Sequence, residues 1–193
     1  MTSKKKEKYA LILDAAEKVI AENGFHGSQV SRIAKEAGVA DGTIYLYFKN
    51  KEDILISLFR DRLGELVALF ESSVGEAASA PDALRRVCEI HFTTLENNVN
   101  LAYVTQIELR QSSLELRKAI GLAVKPYIQL IEHILLKGVE EKSFRPGLDV
   151  KLTRLLLFGA MDEVVTSWLI SGRKYSLSAQ VDNTVDFFLR GLQ

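Results

Sequence analysis

Residues 28–51 read SQVSRIAKEAGVADGTIYLYFKNK, and this stretch decides the fold. Two short helical segments flank a tight turn at Gly38, the spacing expected of a helix-turn-helix. The first opens at Ser28, a residue type whose side-chain oxygen accepts from the unpaired N–H groups of a first turn. Val30, Ile33, Ala34 and Ala37 give this segment one apolar face. The second segment, Thr43 to Phe48, needs only Ile44 and Phe48 on its inner side, because residues four apart share a helix face. Thr43, Tyr45, Leu46 and Tyr47 are then left pointing outward. Two exposed tyrosines on so short a helix are hard to account for by packing. They make sense where hydroxyls bond phosphate oxygens and rings press on sugar or thymine methyl groups. Gly42 lets the backbone approach a duplex closely, and the helix start adds unpaired N–H groups.

Helical periodicity extends from this stretch in both directions. Upstream, Ile12, Ala15, Ala16, Val19 and Ile20 form an i, i+3, i+4, i+7, i+8 stripe. It stops at Asn23-Gly24, where glycine can take a left-handed conformation, and Phe25 follows as a hydrophobic plug. Downstream, Asn50 caps a fourth helix with Glu52 and Asp53 in its first turn, where the dipole favours anions. That helix carries Ile54, Leu55, Leu58, Phe59, Leu66, Val67 and Phe70 to about Ser72, and residues 75–81 form a loop. Further helices are expected over 82–97, 100–111, 113–141, 150–171 and 177–191, with Pro126 kinking the third of them. Strand signals are nearly absent, so the fold class is all-α with about nine helices.

The last two helices are apolar on more than one face. Leu152, Leu155, Leu156, Leu157, Phe158, Met161, Val164, Val165, Trp168 and Leu169 crowd one of them, and Val181, Val185, Phe187, Phe188, Leu189 and Leu192 the other. Such a helix is buried on two sides. The second side is a subunit partner, giving a homodimer, or else a thick monomer core.

Composition narrows the class. Of 193 residues, 47% are hydrophobic and 26% charged, the profile of a globular protein and not of a disordered one. No uninterrupted apolar run reaches the roughly 18 residues of a membrane span. Lys4, Lys5, Lys6 and Lys8 are not followed by a signal-peptide apolar region, since Asp14, Glu17 and Lys18 break it. A cytoplasmic protein without membrane partners is expected. The single cysteine, Cys88, excludes an internal disulfide and lies in an apolar stripe with Leu84, Val87 and Phe92, the place of a structural thiol.

The formal net charge is zero, but up to Lys51 nine basic residues face six acidic ones, an excess of three. The N-terminal lysines either lie along a nucleic-acid backbone or form a solvated tail. No catalytic constellation is visible. His26, His91 and His133 lack metal-ligand spacing, Ser112-Ser113 lacks a nucleophile-elbow context, and no phosphate-binding glycine loop occurs. Neither enzyme activity, a metal nor a cofactor is expected.

The run from Gly38 to Ile54, G-V-x-x-G-T-I-Y-x-Y-F-x-x-K-x-x-I, resembles the signature of TetR-family transcriptional repressors. The resemblance implies a helix-turn-helix domain over residues 1–50 and an effector-binding and dimerisation domain over 51–193, linked by the helix 51–72. By position in the motif, Asp41, Gly42, Tyr45 and Leu46 fall where that family contacts bases, with Tyr45 able to serve a phosphate instead. Ser28, Gln29, Thr43, Tyr47 and Lys51 fall where it contacts phosphates, and Lys49 joins the DNA-facing set. Three longer stretches, VADGTIYLYFKNKEDILISLF, TQIELRQSSLELR and LLFGAMDEVVTSWLISGRKYSL, resemble the fatty-acid-degradation repressors of Gram-positive bacteria. That narrower resemblance implies a long-chain acyl-CoA effector, whose binding releases operator DNA.

Chemistry alone suggests which residues would hold such an effector. Phe92, Tyr103, Ile107, Tyr127, Phe158 and Trp168 can line an apolar cavity or simply form core. Gln106, Arg110 and Gln111 add polar groups, and Arg110 shares a face with Gln106 and Tyr103. Its guanidinium suits a phosphate, or it pairs with Glu108, Glu115 or Asp162. Two rival readings remain at this level: a drug-responsive repressor of an efflux operon, and a DNA-binding protein that acts through a protein partner without a small effector.

Overall fold

The computed structural model describes residues 3–193. Among them the regular elements are nine α-helices and one 3₁₀ turn, as the all-α reading requires. Helix α1 (Ser3–Gly27) buries Ile12, Leu13, Ala15, Ala16, Val19 and Ile20. Its backbone breaks at Gly24, with φ 67° and ψ 162°. This is not the left-handed turn expected there. It is an extended mirror-image conformation reserved essentially for glycine, and Phe25 lies buried immediately after it.

Helix α2 (Val30–Glu36) corrects the expected cap. Gln29 occupies the N-cap position without a side-chain cap bond. Ser28 is buried, its hydroxyl 2.7 Å from the Gly24 carbonyl and 3.1 Å from that of Val19. The end of α2 follows expectation. Gly38 has φ 63°, the Val39 N–H donates to the Ala34 carbonyl at 2.9 Å, and the Gly38 N–H to Lys35 at 3.2 Å. That paired bonding is a Schellman motif. Helix α3 (Asp41–Ile44) begins two residues before Thr43 and gives way to a turn over 45–47.

The long helices start on side-chain caps. Asn50 accepts from the Asp53 N–H at the start of α4 (Lys51–Gly75), while Asp53 accepts from the Lys49 N–H, a reciprocal pair of the capping-box kind. Ser79 caps α5 (Ala80–Asn97), two residues earlier than expected because Pro81 fits the first turn. Asn98 caps α6 (Val99–Glu108), Ser113 caps α7 (Leu114–Glu140) and Asp149 caps α8 (Val150–Ile170). Helix α9 (Val181–Leu192) follows the 3₁₀ turn Ser178–Gln180. Pro126 lies inside α7, which continues past it as one element.

Helix α4 is the central post. Its first turns close the small core of α1–α3 with Ile54, Leu55 and Leu58, and its remainder packs against α5 and α7. Arg62 on α4 ties it to α1 by pairing with Glu17 at 2.7 Å and with Asp14. Helix α7 is long and apolar enough to cross a membrane by length and composition. Lys125 and Glu132 interrupt it, and Ile120, Tyr127, Ile131 and Leu135 are buried within the bundle, so here it is a core helix. Near its end Gly138 lies under the Phe144 ring, where an added Cβ would come within 2.0 Å of the ring.

Candidate nucleic-acid interface and effector cavity

The interface is built around α3. Its fold requirement is met by Ile44 and Phe48, both buried. Asp41, Gly42, Tyr45 and Leu46 are exposed together, Tyr45 at 57% and Leu46 at 73%. Among the described residues an added Cβ at Gly42 would meet nothing within 4 Å, so their packing does not demand glycine there. Thr43 is half-buried. Tyr47 is only half-exposed, since its ring tilts against Phe48 with centroids 6.4 Å apart. The Lys5 ammonium sits 5.8 Å from the Tyr47 ring, which brings the basic start of α1 beside the turn after α3.

Charge compensation sharpens this face. Lys18 pairs with Glu36 and Arg32 with Glu22. Among the described residues, Lys4, Lys5, Lys6, Lys8, Lys35 and Lys49 make no ion pair, so the positive excess is concentrated on them. Gln29 and Lys49 are exposed. Two expected phosphate contacts are engaged elsewhere. Ser28 is turned into the fold, as described above. Lys51 spends its ammonium on the Phe25 and Ser28 carbonyls at 3.0 and 3.2 Å, and lies 4.5 Å from the Phe25 ring. A lysine at the end of a helix satisfies its unpaired carbonyls, so Lys51 fastens α4 to the corner between α1 and α2.

In the C-terminal bundle, α4 to α8 surround a small, largely apolar cavity. Phe59, Leu63 and Leu66 come from α4, His91 and Leu95 from α5, Leu101, Thr105 and Gln106 from α6, Val124 and Tyr127 from α7, and Phe158 and Asp162 from α8, with Leu109 just past α6. Its volume of about 30 Å³ is room for about one or two waters. His91 Nδ1 lies 3.2 Å from the Tyr127 hydroxyl, while its Nε2 is buried without a partner. Burial pushes the imidazole down to about 4 and the Tyr127 hydroxyl well up. Cys88 is buried nearby in α5, its thiol pushed up to about 12 by burial, so it stays protonated and structural.

Of the residues chosen on chemistry, Gln106, Tyr127 and Phe158 line this cavity. Phe92 and Trp168 are core, the Trp168 indole N–H donating to the Tyr175 carbonyl at 2.8 Å. Tyr103 is half-buried off the cavity wall, and Ile107 is 55% exposed. Arg110 pairs with the buried Asp162 and donates to the Gln106 carbonyl at 2.9 Å, so the ion-pair alternative holds for it. Gln111 is buried and donates its amide to Glu108.

Glu108 is the residue that sequence reasoning undervalued. It ends α6, is 3% exposed, and accepts the Phe25 N–H at 2.7 Å. Phe25 is therefore gripped from both sides, its N–H by Glu108 and its carbonyl by Lys51. A carboxylate between Ile107 and Leu109 gives no local hint of a partner 83 positions away.

Comparison with known proteins agrees with this architecture. Residues 12–58 match the bacterial regulatory proteins of the TetR family, and residues 59–191 match the C-terminal region of YsiA-like proteins. The chain is 50% identical over 188 residues to the fatty acid metabolism regulator protein of Bacillus subtilis, covering 97% of each chain. It superimposes with a TM-score of 0.93 on FadR from Bacillus subtilis, solved in complex with stearoyl-CoA, at 49% identity over 96% of this chain and 100% of that one. FadR from Bacillus halodurans gives a TM-score of 0.92 at 47% identity, with coverage of 96% and 100%. With a helix-turn-helix at one end and a matching bundle at the other, the chain belongs to the TetR family of DNA-binding transcriptional regulators, closely related to the fatty-acid regulators of bacilli.

Proposed function

We propose that this protein is a cytoplasmic, homodimeric repressor of fatty-acid-degradation genes that leaves its operator when it binds a long-chain acyl-CoA. The observation that carries the reading is the double engagement of the α6 segment. Leu101, Thr105, Gln106 and Leu109 form one wall of the apolar cavity, and Glu108 holds the corner between α1 and α2. Full-length similarity to a regulator solved with stearoyl-CoA supports the choice of ligand. The three-helix unit through residue 50 is the DNA-binding domain, and the rest is the effector and dimer domain.

The mechanism follows from volumes. Ligand pockets commonly span about 300–1,000 Å³, far more than the closed cavity offers. An acyl chain must part the helices, and α6 carries Glu108 with it. The ligand then binds the opened state better than the closed one, the condition for shifting the equilibrium. In the dimer, two α3 surfaces must sit about 34–36 Å apart to enter successive major grooves. Displacing the α1–α2 corner disturbs that spacing. A tenfold loss of DNA affinity needs only about 1.4 kcal/mol of differential binding.

The dimer face is the exposed apolar surface of α8 and α9. Leu152, Leu155, Leu156 and Phe187 are each more than half exposed there, a patch that water alone covers poorly. The test is a mobility shift on the DNA upstream of the protein's own gene, with and without palmitoyl-CoA. Retardation that palmitoyl-CoA abolishes is the expected outcome. Retardation indifferent to palmitoyl-CoA would remove the effector assignment, and no retardation at all would remove the operator.

A further inference from the structure

The start of α1 is built against the rules for a helix that serves only the fold. Lys4, Lys5, Lys6 and Lys8 lie in its first turns, and Glu7 is the one acid among them. Four cations less that acid leave three positive charges within little more than one turn. The helix dipole disfavours cations at an N-terminus, and like charges four apart, such as Lys4 and Lys8, repel. No acid in the first turn offsets either effect. Glu7 accepts from the Ser3 hydroxyl at 3.1 Å, and none of the four lysines makes an ion pair among the described residues. Folding does not ask for this arrangement, whereas a polyanion laid along it would.

Tyr9 fixes where the strip lies. Its ring stacks on Phe48 with centroids 5.2 Å apart and planes 24° from parallel. Its hydroxyl accepts from the Arg60 guanidinium of α4 at 2.9 Å. Phe48 is buried and closes the turn after α3, so the start of α1 is fastened to the recognition segment itself. One turn before Tyr9, and on the same face, Lys5 is exposed with its ammonium 5.8 Å from the centroid of the Tyr47 ring. Lys51 spends its ammonium on backbone carbonyls. Lys5 meets only a ring face, which attracts a cation without using up its N–H groups. It is therefore placed beside α3 and still free to bind.

We propose that the first turns of α1 are a second DNA-contacting strip, in which Lys5 holds a backbone phosphate beside the groove that α3 reads and Tyr9 is the positioning residue for it. The inference rests on the operator-binding reading above and adds a contact outside the helix-turn-helix. The strip is helical from Ser3 onward. A helix with its side chains is about 10–12 Å across and does not fit a minor groove about 6 Å wide. The contact is thus with the phosphate backbone and not with base edges. It supplies affinity and register without sequence preference.

The experiment is anisotropy titration of the full-length protein on the duplex upstream of its own gene and on a shuffled duplex of equal length, across a range of salt. The proteins are wild type, Lys5→Ala, Lys5→Arg, Tyr9→Ala and the Lys5→Ala/Tyr9→Ala double variant, with thermal melts to confirm folding. Lys174→Ala removes the same charge from the exposed turn after α8 and serves as the control. A dimer that loses two phosphate contacts, at about 0.9 each, should show a salt slope lower by about 1.8. The Lys5→Ala deficit is then about twelvefold larger at about 50 mM salt than at about 200 mM, on both duplexes alike. Lys5→Arg and Lys174→Ala should keep the wild-type slope. In the Tyr9→Ala background, Lys5→Ala should cost less than about twofold, because a displaced lysine has little left to lose. A Lys5→Ala slope equal to that of wild type, or matched by Lys174→Ala, overturns the strip and leaves the repressor reading standing. A loss confined to the operator duplex also overturns it, by pointing to a base contact. Full additivity of Lys5→Ala and Tyr9→Ala overturns the positioning role of Tyr9. Failure of the wild type to bind either duplex ends both readings together.

Discussion

At the helix-turn-helix end, Tyr45 and Leu46 keep more than half of their surface exposed among the described residues. In the bundle, Gln106, Glu108 and Asp162 are buried, and each is hydrogen-bonded to a group from another element or another turn. The first kind of residue contributes little to folding, because most of its surface keeps the water it had in the unfolded chain. The second kind is costly to disturb, because a buried polar group that loses its partner forfeits about 1–3 kcal/mol. Exposed residues with no structural task are therefore candidates for recognition. Under the proposed mechanism, buried polar residues such as Glu108 carry stability and signalling at once, and only measurements that separate the two can divide those roles.

The contrast is broken most severely by crowding the bundle. Gly138→Ala forces a methyl group into the Phe144 ring and should cost about 3 kcal/mol, at the upper end of overpacking, read from urea denaturation. A change below about 0.5 kcal/mol would mean that the ring moves aside freely.

Nearly as large is a proton-linked effect at His91. The folded imidazole sits at about 4, while the unfolded one titrates near 6.5. The unfolded chain thus takes up a proton that the folded one refuses. Stability is fully present above about pH 6.5 and falls as the pH drops toward 4, by on the order of 3 kcal/mol. His91→Phe should flatten that decline relative to wild type in melts taken across the window. Parallel pH profiles for the two proteins would show that His91 is not the titrating group.

Glu108→Ala leaves the Phe25 N–H unpaired and cuts the link from α6 to the α1–α2 corner. Operator affinity should fall about tenfold, or about 1.4 kcal/mol, and the remaining binding should respond less to palmitoyl-CoA. Anisotropy titrations on operator DNA read both. Full retention of the palmitoyl-CoA response would place the coupling elsewhere.

The smallest effect on the fold is expected at the exposed end. Leu46→Ala should change stability by less than about 0.5 kcal/mol, yet weaken operator binding. Tyr47→Phe should weaken binding uniformly across sequences and leave the salt slope nearly unchanged, because a neutral hydroxyl neutralises no phosphate. A stability loss at Leu46 comparable to that at Gly138 would erase the distinction between the two ends.

What could be read in the chain follows the range of the interactions. The four-residue spacing of Ile44 and Phe48, the glycine stop at Gly38 and the Asn50 cap each depend on neighbours within five positions, and the structure contains all three. Ser28 and Lys51 had the right chemistry for phosphate, but their nearest acceptors are carbonyls of Val19, Gly24, Phe25 and Ser28 itself, brought close by the break at Gly24. The effector set was harder to read for the same reason. The cavity draws residues from Phe59 to Asp162, and helical periodicity does not distinguish a side chain lining a void from one packed beside it.

The sequence by itself determined the helices, the Asn50 cap, the outward face of α3 and the family, because these arise from local spacing and local capping chemistry. The tertiary structure alone decided that Glu108 holds Phe25, that Arg110 is spent on Asp162, and that Tyr9 stacks on Phe48. Those are pairings between distant segments, and a distance across the bundle is set by packing rather than by any residue's own preference.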